Sequence, residues 1–319
     1  MPGWVHLLLL STAVISLSQA AILSRWAAAP PEIVGFWRMV AASVCLFPFA
    51  LHGSRFWNAN PGPEPDSTDR ENKSGAKVEA GGSLLHWPSV VLCISSGGFF
   101  FLHLWTYIYA AQNTNIAHTV IIFASNPLLI AGGAFLFFQE RLSFRYALAI
   151  LFTGLGLVVL KSEKVEAETL SLADLAAFAS AIFFAGYILT GRLARRSVRN
   201  VPYTFGVYAS ASVLFFFAVV FRNLSFTEWP AQAWIAIGIY VLLPTLLGHT
   251  LYSYLLKHLD INLMGCSKLL EPALAAISAW LLFSEPLTQR SILSFLITSL
   301  GLAVLLWPGG SRKSANAND

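Results

Sequence analysis

The sequence predicts an all-α polytopic membrane protein, with ten transmembrane helices arranged as two inverted-topology repeats of five. Three observations carry this expectation. Of the 319 residues, 56% are hydrophobic and only 11% are charged, whereas a soluble domain runs at roughly 45–50% and 25%. Apolar runs of roughly 20 residues recur along the chain, each long enough to cross about 30 Å of hydrocarbon as a helix. Residues 116–160 also match residues 261–305 without a gap, at a constant offset of 145.

The elements follow in order. A first span is expected near residues 4–26. Its start, "MPGWVHLLLLSTAVISLSQA", has the outline of a secretory leader, since "SQA" resembles a cleavage site. It lacks a basic n-region, however, and the apolar run continues through Ala21, Ile22 and Leu23, so a retained span is the reading. The second span lies near 33–52. Residues 53–86 are rich in Pro, Gly, Asn and mixed charge. They cannot bury enough apolar surface to offset their ordering entropy and read as a disordered loop. Spans near 88–111, 116–138 and 143–160 complete the first repeat, residues 1–160. The second repeat, residues 161–310, holds spans near 171–191, 202–221, 232–255, 259–283 and 287–307, and residues 311–319 form a tail.

Lys and Arg set the orientation. With the N-terminus cytoplasmic, outer segments hold only Arg25, Lys161, Lys164, Arg222 and Arg290. Inner segments are far richer, above all "GRLARRSVR" between the sixth and seventh spans. This is the positive-inside pattern, and it places both termini in the cytoplasm. The net charge of +4 is explained by these anchors and gives no sign of nucleic-acid binding. Cys45, Cys93 and Cys266 fall in apolar runs at unrelated spacings and read as buried free thiols. Trp4, Trp87, Trp229 and Trp307 sit near span ends as interface anchors. The small residues of "SSGG" at 95–98 and "GLG" at 154–156 suit close helix contacts.

In the internal match, Ile116 meets Ile261, Pro127 meets Pro272, Phe138 meets Phe283, Glu140 meets Glu285 and Arg145 meets Arg290. "LGLVVL" meets "LGLAVL", and the register extends back to pair Tyr107 with Tyr252. Five spans is an odd number, so the second copy must enter the membrane upside down, an architecture common among secondary transporters. Two similar halves packed antiparallel can exchange conformations and so move an opening from one face to the other.

The pattern of Pro127, Glu140, Leu142 and Gly156, repeated as Pro272, Glu285, Leu287 and Gly301, resembles the drug/metabolite transporter superfamily in its EamA-like branch. The resemblance implies a ten-helix transporter, typically an exporter of amino acids or other small metabolites. It also implies a central cavity lined by the first, third, fourth, sixth, eighth and ninth spans. The loop at 53–86 is longer than that pattern suggests.

Candidate pathway residues are the polar groups inside spans. Lys268 and Glu271 stand three apart on one face of the ninth span, and a Lys or Asp at a helix centre costs about 2.5–3.5 kcal/mol on insertion. Their repeat counterparts are Phe123 and Asn126, so the fold does not need charge there. Pro272 lacks an N–H and frees the carbonyl of Lys268, as Pro127 frees that of Phe123. Two roles stay open for the pair, namely binding a zwitterion or cycling a proton, and a purely structural ion pair. His103 and Tyr107 are mirrored by His249 and Tyr252, while Gln19 and Tyr187 add polar groups to the first and sixth spans. His118 and Ser125 on the fourth span are weaker candidates, and Asp174 is close enough to the end of the sixth span to be interfacial. Arg38 could hold an anionic substrate or snorkel to the outer interface.

No P-loop, HExxH or nucleophile elbow occurs, so neither an enzyme nor a cofactor is expected. The function expected is export of amino acids or similar small metabolites by alternating access, in a bacterial inner membrane. The partners expected are the lipid bilayer and a small-molecule substrate. Proton coupling, facilitated diffusion and the oligomeric state stay open. Alternatives are efflux of organic cations and, in a different class, a non-transporting sensor or scaffold.

Overall fold

A computed structural model describes residues 3–51, 87–139, 144–161, 171–195, 198–251, 255, 267 and 270–306. The expected loop at 53–86 and the tail at 311–319 lie outside them. Among the described residues the chain is helical, without strands. The helices are α1 Gly3–Ser18, α2 Ala20–Trp26, α3 Pro31–Leu51, α4 Trp87–Asn113, α5 Ile116–Phe123, α6 Asn126–Phe138 and α7 Phe144–Lys161. Then come α8 Leu172–Ala194, α9 Asn200–Phe221, α10 Ala231–Tyr240, a π-helical segment Val241–Thr250, α11 Leu270–Phe283 and α12 Gln289–Leu306.

Among the described residues, seven helical stretches are long and apolar enough to cross a membrane: Trp4–Trp26, Pro31–Ala50, Pro88–Asn113, Ile116–Phe138, Leu172–Ala194, Asn200–Phe221 and Ala231–His249. Shorter apolar helices run over Phe144–Val159 and Leu270–Phe283. These limits fall within a few residues of the first seven expected spans; the expected eighth is described to Leu251 and at Leu255, the ninth from Leu270 apart from Ser267, and the tenth corresponds to α12, which is in neither set.

Local chemistry sets the ends. Asn115 Oδ1 accepts from the Ala117 N–H and caps α5, and Ser171 Oγ accepts from the Asp174 N–H and caps α8, each satisfying a donor the first turn leaves over. Pro30 and Pro31 open α3, where a missing N–H costs nothing. The helices α6 and α11 each end on a residue of positive φ, Gln139 at 55° and Ser284 at 53°.

Large apolar side chains face outward, Phe221 at 90% and Phe137 at 75% exposure among them, as suits a surface solvated by lipid rather than water. The interior is built where α4 packs on α8 and α9, α3 on α9, α7 on α12, α5 on α11, and α1 on α11 and the π segment. Close approach depends on small residues. A Cβ on Gly35 would overlap the Phe215 ring at 2.2 Å. A Cβ on Gly156 would meet Thr298 Oγ1 at 2.2 Å and the Ser294 carbonyl at 3.0 Å, and one on Gly301 would meet Phe152 Cβ at 2.7 Å and the Ala149 carbonyl at 3.1 Å.

Candidate functional site

The apolar stretches that build the middle of the bundle are interrupted. The first is broken at Gln19, between α1 and α2. The fourth breaks at Ala124 and Ser125, between α5 and α6, with Pro127 in the first turn of α6, where it has no N–H to continue the ladder from Phe123. The eighth widens into the π segment from Val241, with the buried Pro244 inside it. Such irregular turns leave backbone polar groups unpaired by the helix itself and recur at functional positions.

Aromatic rings gather around these interruptions. The His103 ring lies 5.3 Å from Phe123, 4.9 Å from Phe184 and 5.8 Å from each of Phe100 and Tyr107, centroid to centroid. Phe100 in turn touches Tyr187 at 4.9 Å, Tyr208 at 5.6 Å and His249 at 6.4 Å. Four of the candidates, His103, Tyr107, Tyr187 and His249, thus belong to one cluster. His103 is fixed within it: Nδ1 lies 2.8 Å from Ser180 Oγ, and that hydroxyl donates to the His103 carbonyl at 3.2 Å.

The other candidates are placed as follows. Asn126 is buried at the start of α6. Gln19 is half-buried, and its Nε2 donates to Ser18 Oγ at 2.9 Å. Glu271 is half-buried in the first turn of α11, next to the buried Pro272. Lys268 and Tyr252 lie outside the described residues, so the expected pairing of Lys268 with Glu271 does too. Asp174 is buried in the first turn of α8, with the Thr114 hydroxyl 3.5 Å away.

Arg38 is interior, not snorkelling. It sits about two turns into α3 at 1% exposure. Its Nε donates to Thr245 Oγ1 at 2.8 Å, and its guanidinium carbon stands 4.0 Å from the centroid of the Tyr240 ring. The π segment supplies Thr245, whose own hydroxyl also reaches the Tyr240 carbonyl at 3.0 Å. Tyr240 is fully buried, its Oη 3.1 Å from Ser24 Oγ. Tyr240 also belongs to the same buried core as Phe100 and Tyr208, so the cation borders the aromatic cluster.

Two ion pairs complete the polar framework. Arg25 pairs with Glu285, donates from Nε to the Ala111 carbonyl at 2.9 Å and from Nη2 to the Thr114 carbonyl, and lies 5.6 Å from the Phe283 ring. Glu285 Oε2 also accepts from the Ile116 N–H at 3.0 Å, so one carboxylate joins α2, the α4–α5 turn and the end of α11. Glu32, 1% exposed, accepts at Oε1 from Trp105 Nε1 at 2.9 Å and from Arg222 at 3.1 Å.

Neither pair was foreseen, because the partners are 260 and 190 residues apart. Tyr208, Tyr240 and Thr245 were missed as well. The rule that singled out His103, a polar group inside an apolar run, would have reached them. Phe100 and Phe184 carried no such signal among the many phenylalanines.

A helical bundle with a lipid-facing apolar surface, interrupted helices at its centre and charged groups turned inward is a polytopic membrane protein of the transporter type. Residues 4–162 and 171–307 each match the EamA-like transporter family, and the chain belongs to that family. It is 25% identical over 225 residues to an uncharacterized transporter of Synechocystis sp., covering 68% of this chain and 67% of that one. A crystal structure of a protein 19% identical to this one superposes with a TM-score of 0.62 over 95% of this chain and 97% of its own, a likeness of fold.

Proposed function

We propose that the protein is a secondary transporter that exports amino acids or similar small metabolites across a bacterial inner membrane by alternating access, with both termini in the cytoplasm. One observation carries this reading, the reciprocity of the packing. The contacts of α3 with α9, α5 with α11 and α7 with α12 join the second, fourth and fifth spans to the seventh, ninth and tenth. Gly156 packs on Ser294 and Thr298, while Gly301 packs on Ala149, Phe152 and Thr153, and apart from Phe152 every residue of one set is the other's counterpart at the offset of 145. Two five-helix halves related by a two-fold axis in the membrane plane would make such contacts.

The mechanism follows from bistability. Two antiparallel halves can rock about their shared interface, exposing the aromatic and polar centre to one side and then the other. The Arg25–Glu285 pair pins α2 to the α4–α5 turn and the end of α11, which closes one end. The distribution of Lys and Arg makes it the outer end.

Flux into proteoliposomes tests the proposal. The panel is L-alanine, L-tyrosine, L-aspartate, 4-hydroxyphenylacetate, tyramine and tetraphenylphosphonium. Saturable flux of at least one amino acid is expected, and no flux of any compound sinks the transport reading in favour of a sensor or scaffold. The aromatic cluster around Phe100 and His103 favours a second reading, efflux of organic cations. It predicts flux of tyramine and tetraphenylphosphonium above that of the amino acids.

A further inference from the structure

We infer that Arg38 is the group that recognises an anion in the substrate path, so that the transported compounds carry a carboxylate; this rests on the transport reading above. The first reason is cost. A guanidinium inside a membrane span, 1% exposed, is unfavourable by several kcal/mol unless something offsets it, and intramembrane cations mark function far more often than packing.

The second reason is the company Arg38 keeps. Its contacts are a threonine hydroxyl and the face of a tyrosine ring, both neutral. The ion pairs of Arg25 with Glu285 and of Arg222 with Glu32 engage other arginines. Hydroxyls and a ring face orient a guanidinium without consuming its charge.

The third reason comes from the repeat. The register that aligns Ala42-Ser43-Val44 with Ala211-Ser212-Val213 puts Val207 opposite Arg38. Val207 is fully buried in α9, so the equivalent position packs without any charge. An arginine retained in one copy alone serves something other than the helix contact.

A guanidinium presents a planar fork of donors that matches a carboxylate in two parallel hydrogen bonds. Thr245 on the π segment and Tyr240 at its start hold the plane of that fork. Tyr240, in the same buried core as Phe100 and Tyr208, links this anion end to the aromatic cluster, where the rest of a small substrate would lie. The same positive charge disfavours cations.

The experiment uses the full-length protein in proteoliposomes and two probes with the same ring and opposite charge, 4-hydroxyphenylacetate and tyramine, with L-tyrosine as the zwitterion. The wild type is expected to move both carboxylate compounds at least roughly tenfold faster than tyramine, the worth of a charged hydrogen bond. Arg38→Gln should abolish that preference. Arg38→Lys keeps the charge and loses the fork, so it should keep the direction of the preference with roughly tenfold weaker binding of the carboxylates. Thermal stabilisation of each detergent-purified protein by 4-hydroxyphenylacetate reads binding apart from flux.

If Arg38 merely staples α3 to the π segment, a folded Arg38→Lys or Arg38→Gln retains the wild-type ratio of anion to cation, and the inference is overturned. Wild-type flux of tyramine equal to or above that of the carboxylates overturns it too. Both outcomes leave the transport reading standing, whereas absence of flux across the whole panel removes that reading itself.

Discussion

Replacing Gly156 with alanine tests the interface about which the proposed halves would rock. The added Cβ would stand 2.2 Å from Thr298 Oγ1 and 3.0 Å from the Ser294 carbonyl oxygen, where non-bonded heavy atoms settle at about 3.5–4.0 Å. Thr298 can turn its hydroxyl away. The Ser294 carbonyl belongs to the α12 backbone and yields only if α7 and α12 separate. Overpacking of this kind costs about 1–3 kcal/mol. Gly154 supplies the control, since nothing lies within 4 Å of a Cβ there. Each variant gains the same helix-propensity benefit, about 0.8–1.0 kcal/mol. That benefit cancels in the comparison and leaves Gly156→Ala less stable than Gly154→Ala by about 1–3 kcal/mol. Reversible unfolding in mixed micelles with increasing SDS, followed by helical circular dichroism, measures the difference. Adding Thr298→Ala removes the nearer clash and should restore part of it. Equal stability of Gly154→Ala and Gly156→Ala would refute the packing argument.

Three further outcomes are expected. Glu32→Ala, which removes the charged acceptor of both the Trp105 N–H and Arg222, should lower stability by about 1.5–3 kcal/mol, while Arg222→Gln, on the exposed side of the same pair, should change it by less than about 1 kcal/mol; unfolding midpoints of the two decide. With Cys45, Cys93 and Cys266 replaced by alanine, Arg25→Cys and Glu285→Cys together should be bridged by a bis-methanethiosulfonate cross-linker that stops exchange flux, with reductant restoring it. Glu271→Gln should cut flux by roughly tenfold or more if the carboxylate binds or titrates, and a correctly inserted variant with unchanged rate and pH profile returns Glu271 to a structural role.

Most of the helical framework was legible because hydropathy acts locally: a run such as Ile116–Phe138 must be helical and buried in something apolar whatever its neighbours do. The repeat was legible because Pro127, Glu140 and Gly156 recur in one register, and proline, loop acid and packing glycine are not interchangeable with leucine. His103, Tyr107, Tyr187 and His249 were legible as candidates since each is polar inside an apolar run. What joins them was not. Arg38 reads alike in sequence whether it snorkels or turns inward, and only the packing of α3 against the π segment separates the two. Arg25 and Glu285 each look like ordinary loop-end charges until the fold brings residues 260 apart into contact. The widening at Val241–Thr250 has Pro244 as its one visible cue, and Pro48 in α3 shows that a proline need not produce it.

The central claim, that the second five-helix copy runs opposite to the first, is tested most directly at Gln139 and Ser284. Both are exposed, both have positive φ, and they are counterparts at the offset of 145. In a cysteine-free background, Gln139→Cys and Ser284→Cys are labelled in oriented membranes with a membrane-impermeant maleimide. The account predicts that Cys at 139 reacts only from the cytoplasmic side and Cys at 284 only from the outer side. Labelling of both from the same side would contradict it.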